Sequence, residues 1–222
     1  MRMRKKKNLD TRLEACSDVM ITDPAACKGQ WRALFGNENP LHVEIGCGKG
    51  KFITGLAAAF PENNYIAVEG QSSVVLRALE KAEEQQIGNL RIFIDYVNDL
   101  KDYFCEGELS GIYLNFCDPW PKARHAKRRL TYHKRLKNYM EALGEDGFIE
   151  FKTDNDGLFD FTIEEVREAG LEIAEMTRDL HGSGESGGSV TMGLYAAQSK
   201  LFKTEYEEKF SSQGKNINFV RI

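Results

Sequence analysis

The sequence predicts an α/β fold in which a mostly parallel β-sheet is covered by helices on both faces. Apolar, strand-like segments alternate with amphipathic, helix-like segments along most of the chain, which is the pattern of repeated βαβ units. A glycine-rich turn follows the first of these strands, at the position where open α/β sheets bind ligands. No Pro/Ser-rich linker divides the 222 residues, so we expect one main domain with a sizeable core.

Each element is predicted from its local pattern. Before the first βαβ unit, residues 11–21 are weakly helical and residues 23–40 look irregular. Strands are predicted at LHVEIG (41–46), NYIAVEG (64–70), NLRIFIDYV (89–97), GIYLNFCD (111–118), GFIEFKTDN (147–155) and LEIAEMTRDL (171–180). Helices are predicted at residues 51–60, 72–86, 132–144 and 157–170. The serines that open the second of these helices suit an N-cap.

Composition excludes several classes of protein. With 41% hydrophobic and 29% charged residues, the chain is not mostly disordered. It has no apolar run of the roughly 18–20 residues that a membrane span needs, and its basic amino terminus lacks the apolar region of a secretory signal. We therefore expect a cytoplasmic protein without membrane contact. The five cysteines form no CxxC pair, so neither a disulfide framework nor a metal site is predicted.

The charges are unevenly distributed. The net charge is −4, which alone argues against a nucleic-acid partner. Cations are concentrated in two places, however, and a local basic surface can bind phosphates because distant charges are screened. These cations are Arg2, Arg4, Lys5, Lys6 and Lys7, then Lys122, Arg124, Lys127, Arg128, Arg129, Lys134, Arg135 and Lys137. A merely solvated charged face is the alternative interpretation.

The glycine-rich turn VEIGCGKGKF is a weak signal when taken alone. It lacks the spacing of the dinucleotide fingerprint and of the ATP-phosphate loop. Two carboxylates strengthen it: Glu44 lies on the strand before the turn, and Glu69 ends the next strand, where it can accept hydrogen bonds from ribose hydroxyls. This pattern resembles the class I S-adenosylmethionine-dependent methyltransferases. The resemblance implies that Gly46 and Gly48 border the methionine part of the cofactor and that Glu69 holds its ribose.

The end of the third strand should provide a contact to the adenine of the cofactor. Its candidates are Asp95, Tyr96 and Asn98. A shift of one residue exchanges the two faces of a strand, so the pattern does not decide between them.

The loop NFCDPWPK, residues 115–122, follows the fourth strand on the same rim of the sheet. Its prolines stiffen the backbone around Asp118. Together with VEIGCGKG, the basic run RHAKRRL, FKTDNDGLF and TEYEEKF, this loop resembles the bacterial tRNA (guanine-N7-)-methyltransferase family over about residues 35 to 214. The resemblance implies a Rossmann-like class I methyltransferase with a seven-stranded sheet. It also implies methylation of guanine 46 in the variable loop of tRNA.

The resemblance assigns roles residue by residue. Asp118 is implied as the catalytic residue and as a cofactor contact. The other implied cofactor contacts are Glu44, Gly46, Gly48, Glu69 and a residue after the third strand, Tyr96 or Asn98. The implied substrate-binding residues are Lys122, Asp154, Thr204, Glu205, Tyr206 and Glu207. The implied RNA contacts are Arg124, His125, Lys127, Arg128 and Arg129. Trp120 is left with two roles, stacking on a flipped base or fixing the loop.

The chemistry of guanine N7 agrees with these residue types. N7 carries an in-plane lone pair, so neither a strong base nor a covalent adduct with Cys117 is needed. Methylation places positive charge on the ring and makes N1–H more acidic. Carboxylates that accept from N1–H therefore bind more strongly as the reaction proceeds, a role we expect for Asp118, Asp154 and Glu207.

The expected organisation has three parts. Residues 1–34 form a basic arm and a lead-in helix, residues 35–222 form one methyltransferase domain, and residues 182–203 form a flexible insertion within it. The resemblance also implies a homodimer. Two rival functions remain. A related methyltransferase with another acceptor would not need the RHAKRRL run. A non-catalytic tRNA-binding protein would not need the acids Glu44, Glu69, Asp118 and Asp154 together.

Overall fold

One β-sheet organises the part of the chain that the structure, a computed structural model, describes, namely residues 8–182 and 199–222. Its strands are β1 (Met20–Ile21), β2 (Leu41–Ile45), β3 (Asn64–Val68), β4 (Leu90–Phe93), β5 (Leu109–Asn115), β6 (Leu143–Thr153), β7 (Glu175–Thr177) and β8 (Asn218–Arg221). They lie in the order β1-β4-β3-β2-β5-β6-β8-β7. Strands β1 to β6 pair in parallel, whereas β8 is antiparallel to β6 and β7.

Helices cover both faces of this sheet. The α-helices within the described ranges are α1 (Leu9–Glu14), α2 (Trp31–Phe35), α3 (Lys51–Ala59), α4 (Ser72–Glu84), α5 (His133–Ala142), α6 (Asp156–Ala169) and α7 (Glu205–Ser211). One apolar core joins the sheet to α2, α5 and α6, and a second core joins the opposite face to α3 and α4. None of these helices is long and apolar enough to cross a membrane.

The α/β class and the parallel sheet are confirmed, with one strand more than expected. The two-residue strand β1 pairs with β4 at the edge and accounts for this eighth strand. Strand β8 comes from the carboxyl-terminal NFVR, a short alternating segment that pairs between β6 and β7. Strands β4 and β7 are shorter than their apolar patterns suggested, because the chain leaves the sheet after Phe93 and Thr177.

The amino-terminal part differs from the expected organisation. Residues 1–7 lie outside the described residues, but residues 8–34 belong to the same packed unit as the sheet. Trp31 is fully buried, stacks on Phe93 and Phe104, and donates from Nε1 to the carbonyl of Tyr103 at 2.9 Å. The segment expected to be irregular therefore contains α2 and a core anchor. A boundary at residue 34 does not separate two independent parts.

Two further expectations concern the cap of α4, which was wrong, and the insertion, which stays a prediction. Helix α4 begins at Ser72 itself, and Gln71 occupies the N-cap without a side-chain hydrogen bond, so the serines do not cap the helix. Most of the predicted insertion, residues 183–198, lies outside the described residues. Of its last residues, Ser199 is buried and Ser199–Leu201 form a 3-10 helix, and the flexibility of residues 182–203 stays a prediction.

The topology places five strand ends on one rim of the sheet. Because β2 to β6 are parallel, the turns after these strands all lie on the same side. The strand order reverses between β2 and β5, which creates the crevice where doubly wound sheets bind their ligands. The glycine turn after β2 and the loop after β5 flank this crevice.

Candidate active site

The turn between β2 and α3 holds three glycines in left-handed backbone. Gly46, Gly48 and Gly50 have φ of 82°, 59° and 78°, angles that strain any residue with a Cβ atom. A Cβ on Gly50 would lie 2.4 Å from the Cβ of Ala78, so this glycine lets α3 and α4 pack closely. No described atom lies within 4 Å of a Cβ built on Gly46 or Gly48. The backbone there is open to a ligand.

Glu69 lies at the end of β3 and is held beside this turn. Its Oε2 accepts from the backbone N–H of Gly48 at 3.1 Å, and its Oε1 accepts from the N–H of Gln71 at 2.9 Å. Each oxygen keeps a second lone pair with which it can accept from a hydroxyl. The structure thus brings the predicted ribose ligand and the glycine turn together.

Glu44 on β2 is buried in the sheet, with 1% of its surface exposed. Its Oε1 accepts from Nδ2 of Asn115 on β5 at 2.8 Å, while its Oε2 has no hydrogen-bond partner among the described residues. Burial raises the pKa of Glu44 to about 8, against the lowering effects of Asn115 and Lys152. A buried acceptor without a partner is unusual, and a cationic or N–H group of a ligand would satisfy it.

The structure of the segment after β4 distinguishes between the candidates for the adenine contact, Asp95, Tyr96 and Asn98. Strand β4 ends at Phe93, so the alternation of a strand does not apply to residues 94–98. Asp95 is already engaged: its Oδ2 accepts from the hydroxyl of Tyr103 at 2.7 Å, and its Oδ1 accepts from the backbone N–H of Tyr96 at 2.7 Å. Asp95 therefore shapes the segment and has less capacity left for a ligand.

Tyr96 is 66% exposed and lies directly beside the predicted ribose site. A Cβ on Gly70, the residue after Glu69, would lie 2.3 Å from Cε1 of Tyr96, so the absence of a side chain at Gly70 makes room for the ring. Asn98 is exposed two residues further on, and its carbonyl accepts from Arg135 at 3.3 Å. The geometry therefore favours Tyr96 as the residue nearest to an adenine.

The loop after β5 presents Asp118 to solvent. Two residues without glycine's freedom have left-handed backbone on either side of it, Phe116 with φ 51° and Trp120 with φ 41°. The N–H of Phe116 donates to the carbonyl of Lys152 on β6 at 2.9 Å, which fixes the start of the loop. The Asp118 carboxylate is exposed and has no hydrogen bond or ion pair within the described residues. It is therefore available to a substrate.

Arg129 anchors this loop from the far side of the basic run. Its Nε donates to the carbonyl of Pro119 at 2.9 Å, and its Nη2 donates to the carbonyl of Trp120 at 3.0 Å. The guanidinium also lies 4.2 Å from the ring centre of Phe161 on α6. Two of the donor nitrogens of Arg129, Nε and Nη2, are used within the protein, so this geometry favours a loop-anchoring role over the expected RNA contact.

Trp120 packs inside its own loop. Its ring lies edge-on to His125, with ring centres 5.6 Å apart, and the guanidinium of Arg128 lies 4.9 Å from its ring centre. Both partners belong to the 3-10 helix Ala123–Arg128. Of the two roles left open for Trp120, the structure favours fixing the loop.

Four cations of the basic run remain free of carboxylates. Lys122, Arg124, Lys127 and Arg128 are exposed and form no ion pair among the residues that the structure describes. They lie beyond Asp118 along the chain, outside the crevice. A phosphate backbone that crosses this surface would meet unneutralised charge.

Asp154 ends β6 on the same rim. Its Oδ2 lies 3.4 Å from Nζ of Lys215, a long contact at a partly exposed position. The next residue, Asn155, caps α6 by accepting from the N–H of Leu158 at 2.8 Å. This cap fixes the backbone beside Asp154. The carboxylate of Asp154 can still exchange Lys215 for another partner.

The TEYE motif begins helix α7 and attaches it above the glycine turn. Thr204 is the N-cap: its Oγ1 accepts from the N–H of Glu207 at 3.0 Å. Glu205 forms an ion pair with Lys81 on α4 at 2.7 Å, and Glu208 pairs with Lys51 on α3. These contacts place the motif on the face of the sheet that carries the cofactor-side helices.

The other two residues of the motif have opposite environments. Tyr206 is largely exposed, and its ring stacks on Phe210 one turn later. Glu207 is fully buried: Oε1 is hydrogen-bonded to Nε2 of His181 at 2.7 Å, and Oε2 lies 3.6 Å from Nζ of Lys152. As the structure stands, both Glu207 oxygens face protein partners rather than the open crevice.

Sequence reasoning missed the polar side chains behind the rim, namely Asn115, Lys152 and His181. The only signal for the first two was polarity inside strongly apolar strands, in IYLNF and FIEFK. Cys117 was expected to be chemically passive, and burial raises the pKa of its thiol to about 12. At neutral pH it is a protonated thiol, which agrees with that expectation.

The sheet order and the glycine turn at the strand-order reversal define a Rossmann-like fold, and a family match places the chain among methyltransferases. The sequence family described as "Putative methyltransferase" matches residues 38–220. A solved structure described as an antibiotic-related methyltransferase shares the fold with a TM-score of 0.57 at 16% identity, covering 87% of this chain and 91% of its own.

Curated relatives identify the family within that class. The tRNA (guanine-N(7)-)-methyltransferase of Bacillus velezensis is 44% identical over 217 residues, which cover 98% of this chain and 94% of that protein. The protein of the same name from Lactococcus lactis subsp. cremoris is 43% identical, with 98% and 95% coverage. The chain belongs to the tRNA (guanine-N(7)-)-methyltransferase family.

Proposed function

We propose that this protein transfers a methyl group from S-adenosylmethionine to N7 of a guanine in tRNA, at guanine 46 of the variable loop. The observation that carries the proposal is that two loops meet at the crevice: the open glycine turn after β2, and the loop after β5, whose Asp118 carboxylate has no partner within the described part of the chain. Family membership supports the acceptor, since the relatives are named for guanine N7 of tRNA.

The residues of the crevice fit the proposed methyl donor. Gly46 and Gly48 leave room for its methionine part, whose positive charges would favour the ionised form of Glu44, and Oε2 of that carboxylate could then accept a hydrogen bond from it. Glu69 would accept from the ribose hydroxyls, and Tyr96 would lie beside the adenine. When bound, S-adenosylmethionine supplies an electrophilic methyl group on a sulfonium centre.

The protein's own residues position guanine and stabilise its developing charge. N7 attacks with a lone pair that is already free, so no residue has to remove a proton first. Asp118 and Asp154 would accept hydrogen bonds from the N1–H edge, and these bonds strengthen as the ring becomes positive. Thr204, Glu205 and Tyr206 would bound the substrate from α7. Lys122 would hold the nucleotide's phosphate.

The free cations would bind the tRNA backbone. Lys122, Arg124, Lys127 and Arg128 can neutralise phosphates, and His125 can add a hydrogen bond. If the acceptor were not a nucleic acid, the exposed cations of this basic run, which form no ion pair with described residues, would have no phosphates to bind. A non-catalytic tRNA-binding protein would leave the open glycine turn and the free Asp118 unexplained.

The test is transfer of labelled methyl from S-adenosylmethionine to unmodified tRNA at low salt, mapped by chain cleavage at N7-methylguanine. We expect one labelled site, at guanine 46, and no label in a tRNA that carries adenine there. Label at another guanine would correct the position, and absence of label in tRNA would refute the function. The homodimer and the cytoplasmic location stay predictions, and light scattering of the purified protein tests the first.

A further inference from the structure

A buried ion pair lies beneath the proposed substrate-binding helix. Lys152 on β6 has 1% of its side chain exposed and Glu207 on α7 has none, and their charged atoms are 3.6 Å apart. No part of the proposed reaction uses Lys152. Since burying two charges is expensive, a pair at this position calls for an explanation.

Lys152 contacts three separate parts of the molecule. Its ammonium donates to the carbonyls of Ser199 and Phe202, at 3.4 and 3.2 Å, in the segment that leads into α7. Its backbone carbonyl accepts from Phe116, the first residue of the Asp118 loop, at 2.9 Å. One residue therefore joins both walls of the crevice, the Asp118 loop and the TEYE segment.

Glu207 completes the same connection from the side of α7. Its carboxylate accepts from the N–H of Thr204 at 3.3 Å, closing the capping box, and binds His181 at 2.7 Å. Strand register places Lys152 beside Asn115, whose side chain holds Glu44. A polar row thus runs across the sheet from Glu44 to α7.

Helix α7 depends on such anchors for its position. It has seven residues, too few to be a stable helix without tertiary contacts. Its ion pairs with Lys51 and Lys81 are partly exposed, and pairs of that kind contribute little. Glu207, which is fully buried and contacts both Lys152 and His181, provides the remaining polar anchor described for α7.

We propose that Lys152 is a positioning residue, which holds the Thr204–Glu207 segment and the Asp118 loop in a fixed relation by neutralising Glu207 beneath α7. The proposal rests on the proposed function, because it assumes that the Thr204–Glu207 segment binds the guanine of tRNA. It assigns Glu207 an indirect role: this carboxylate organises the segment, and its neighbours contact the guanine.

The experiment compares Lys152→Met, Lys152→Arg, Glu207→Gln and the double variant Lys152→Met/Glu207→Gln. Leu90→Ala is the control for lost stability, because it makes a cavity at the amino-terminal end of β4, opposite the rim. Two kinds of measurement are made on each variant. Steady-state kinetics gives kcat and KM for tRNA, and hydrogen exchange gives the opening of α7 amides such as those of Glu208 and Ser212.

We expect Lys152→Met to lower kcat/KM for tRNA by about tenfold or more and to speed α7 exchange by a similar factor, because the buried Glu207 carboxylate then keeps only His181 and the N–H of Thr204 as described partners. Lys152→Arg should retain more activity. The double variant should both recover kcat/KM and slow α7 exchange relative to Lys152→Met, since neither member of the buried pair is then charged. Leu90→Ala should lower the melting temperature and leave α7 exchange unchanged.

Three results would overturn the proposal. The first is a Lys152→Met variant with normal kcat/KM, and the second is α7 exchange no faster than in Leu90→Ala. The third is a double variant as inactive as Glu207→Gln, which would mean that Glu207 contacts the guanine itself. If the unaltered protein fails to methylate tRNA, the proposed function is wrong, and the exchange measurements alone then decide whether Lys152 positions α7.

Discussion

Asp118 differs from the other carboxylates on the rim because it has no hydrogen-bond or ion-pair partner in residues 8–182 and 199–222. Glu69 is held by two backbone N–H groups, and Asp95 by a tyrosine hydroxyl and a backbone N–H. Asp154 lies near a lysine, and Glu44 is held by an asparagine. A group that the protein leaves exposed and unpartnered at a stiffened loop is preorganised for a ligand, which favours the catalytic role proposed for Asp118.

Replacing Asp118 by Ala should abolish most of the turnover without preventing tRNA binding. The variant loses the hydrogen bond that strengthens as guanine becomes positive, so we expect kcat to fall by about 100-fold or more. Binding of tRNA, which depends on the cations, should change only a few-fold. Single-turnover transfer and filter binding measure the two effects. Normal turnover of this variant would remove Asp118 from the mechanism.

At the scale of elements, the basic run from Lys122 to Arg129 has two parts. Its end, Arg129, supports the Asp118 loop through the carbonyls of Pro119 and Trp120. Its middle, including Lys127, is exposed and free of described ion pairs. A charge count treats these residues alike, but their contacts predict different consequences of substitution.

The pair Arg129→Ala and Lys127→Ala tests this division. Lys127→Ala should weaken tRNA binding. The slope of the logarithm of the binding constant against the logarithm of the salt concentration should become shallower by about 0.7–0.9, the value of one phosphate contact. Arg129→Ala should leave the slope unchanged and lower kcat, because the Asp118 loop loses its anchor. Binding titrations between low and moderate salt, combined with rate measurements, separate the two. Equal slope changes in both variants would return Arg129 to the RNA surface.

Local signals in the sequence predicted the elements that follow short-range rules. The strands β2, β3 and β5 and the helices α3 and α6 lie close to their expected positions, because alternation and the 3.6-residue period are local properties. The pairing of β8 with β6 and the buried contacts of Trp31 depend on partners more than 60 residues away. No local pattern contains that information.

The candidate site divides in the same way. The glycine turn, Glu69 and Asp118 are recognisable because a strand end and a turn are visible in the sequence. The burial of Glu207 and its contact with Lys152 join residues that are 55 positions apart, and only the sheet order brings them together. The open choice among Asp95, Tyr96 and Asn98 required knowing where β4 ends.

At the scale of the whole molecule, the buried Glu44 couples folding to pH. Burial raises its pKa to about 8 from an ordinary carboxyl value of 4.5, so between these values the folded state binds one more proton than the unfolded state. The stability contributed by this proton is complete below about pH 4.5. It is lost as the pH rises through about 8.

Glu44→Gln should remove this dependence in the absence of cofactor. The free energy of unfolding of the variant minus that of the unaltered protein should increase from pH 5 to pH 8. The slope of this difference should be at most about 1.4 kcal/mol per pH unit. Urea unfolding at several pH values measures it. Parallel stability curves for the two proteins would show that Glu44 is ionised throughout and that its burial has been compensated.

The left-handed backbone at Phe116 and Trp120 has a consequence for any attempt to improve this protein. Each of these residues stores about 1–2 kcal/mol of strain that glycine would release. Glycine at either site would release this strain but would also remove the side chain and, at Trp120, its contacts with His125 and Arg128. Either glycine would let Asp118 adopt more positions, so we expect such variants to methylate more slowly even where their melting temperature is unchanged.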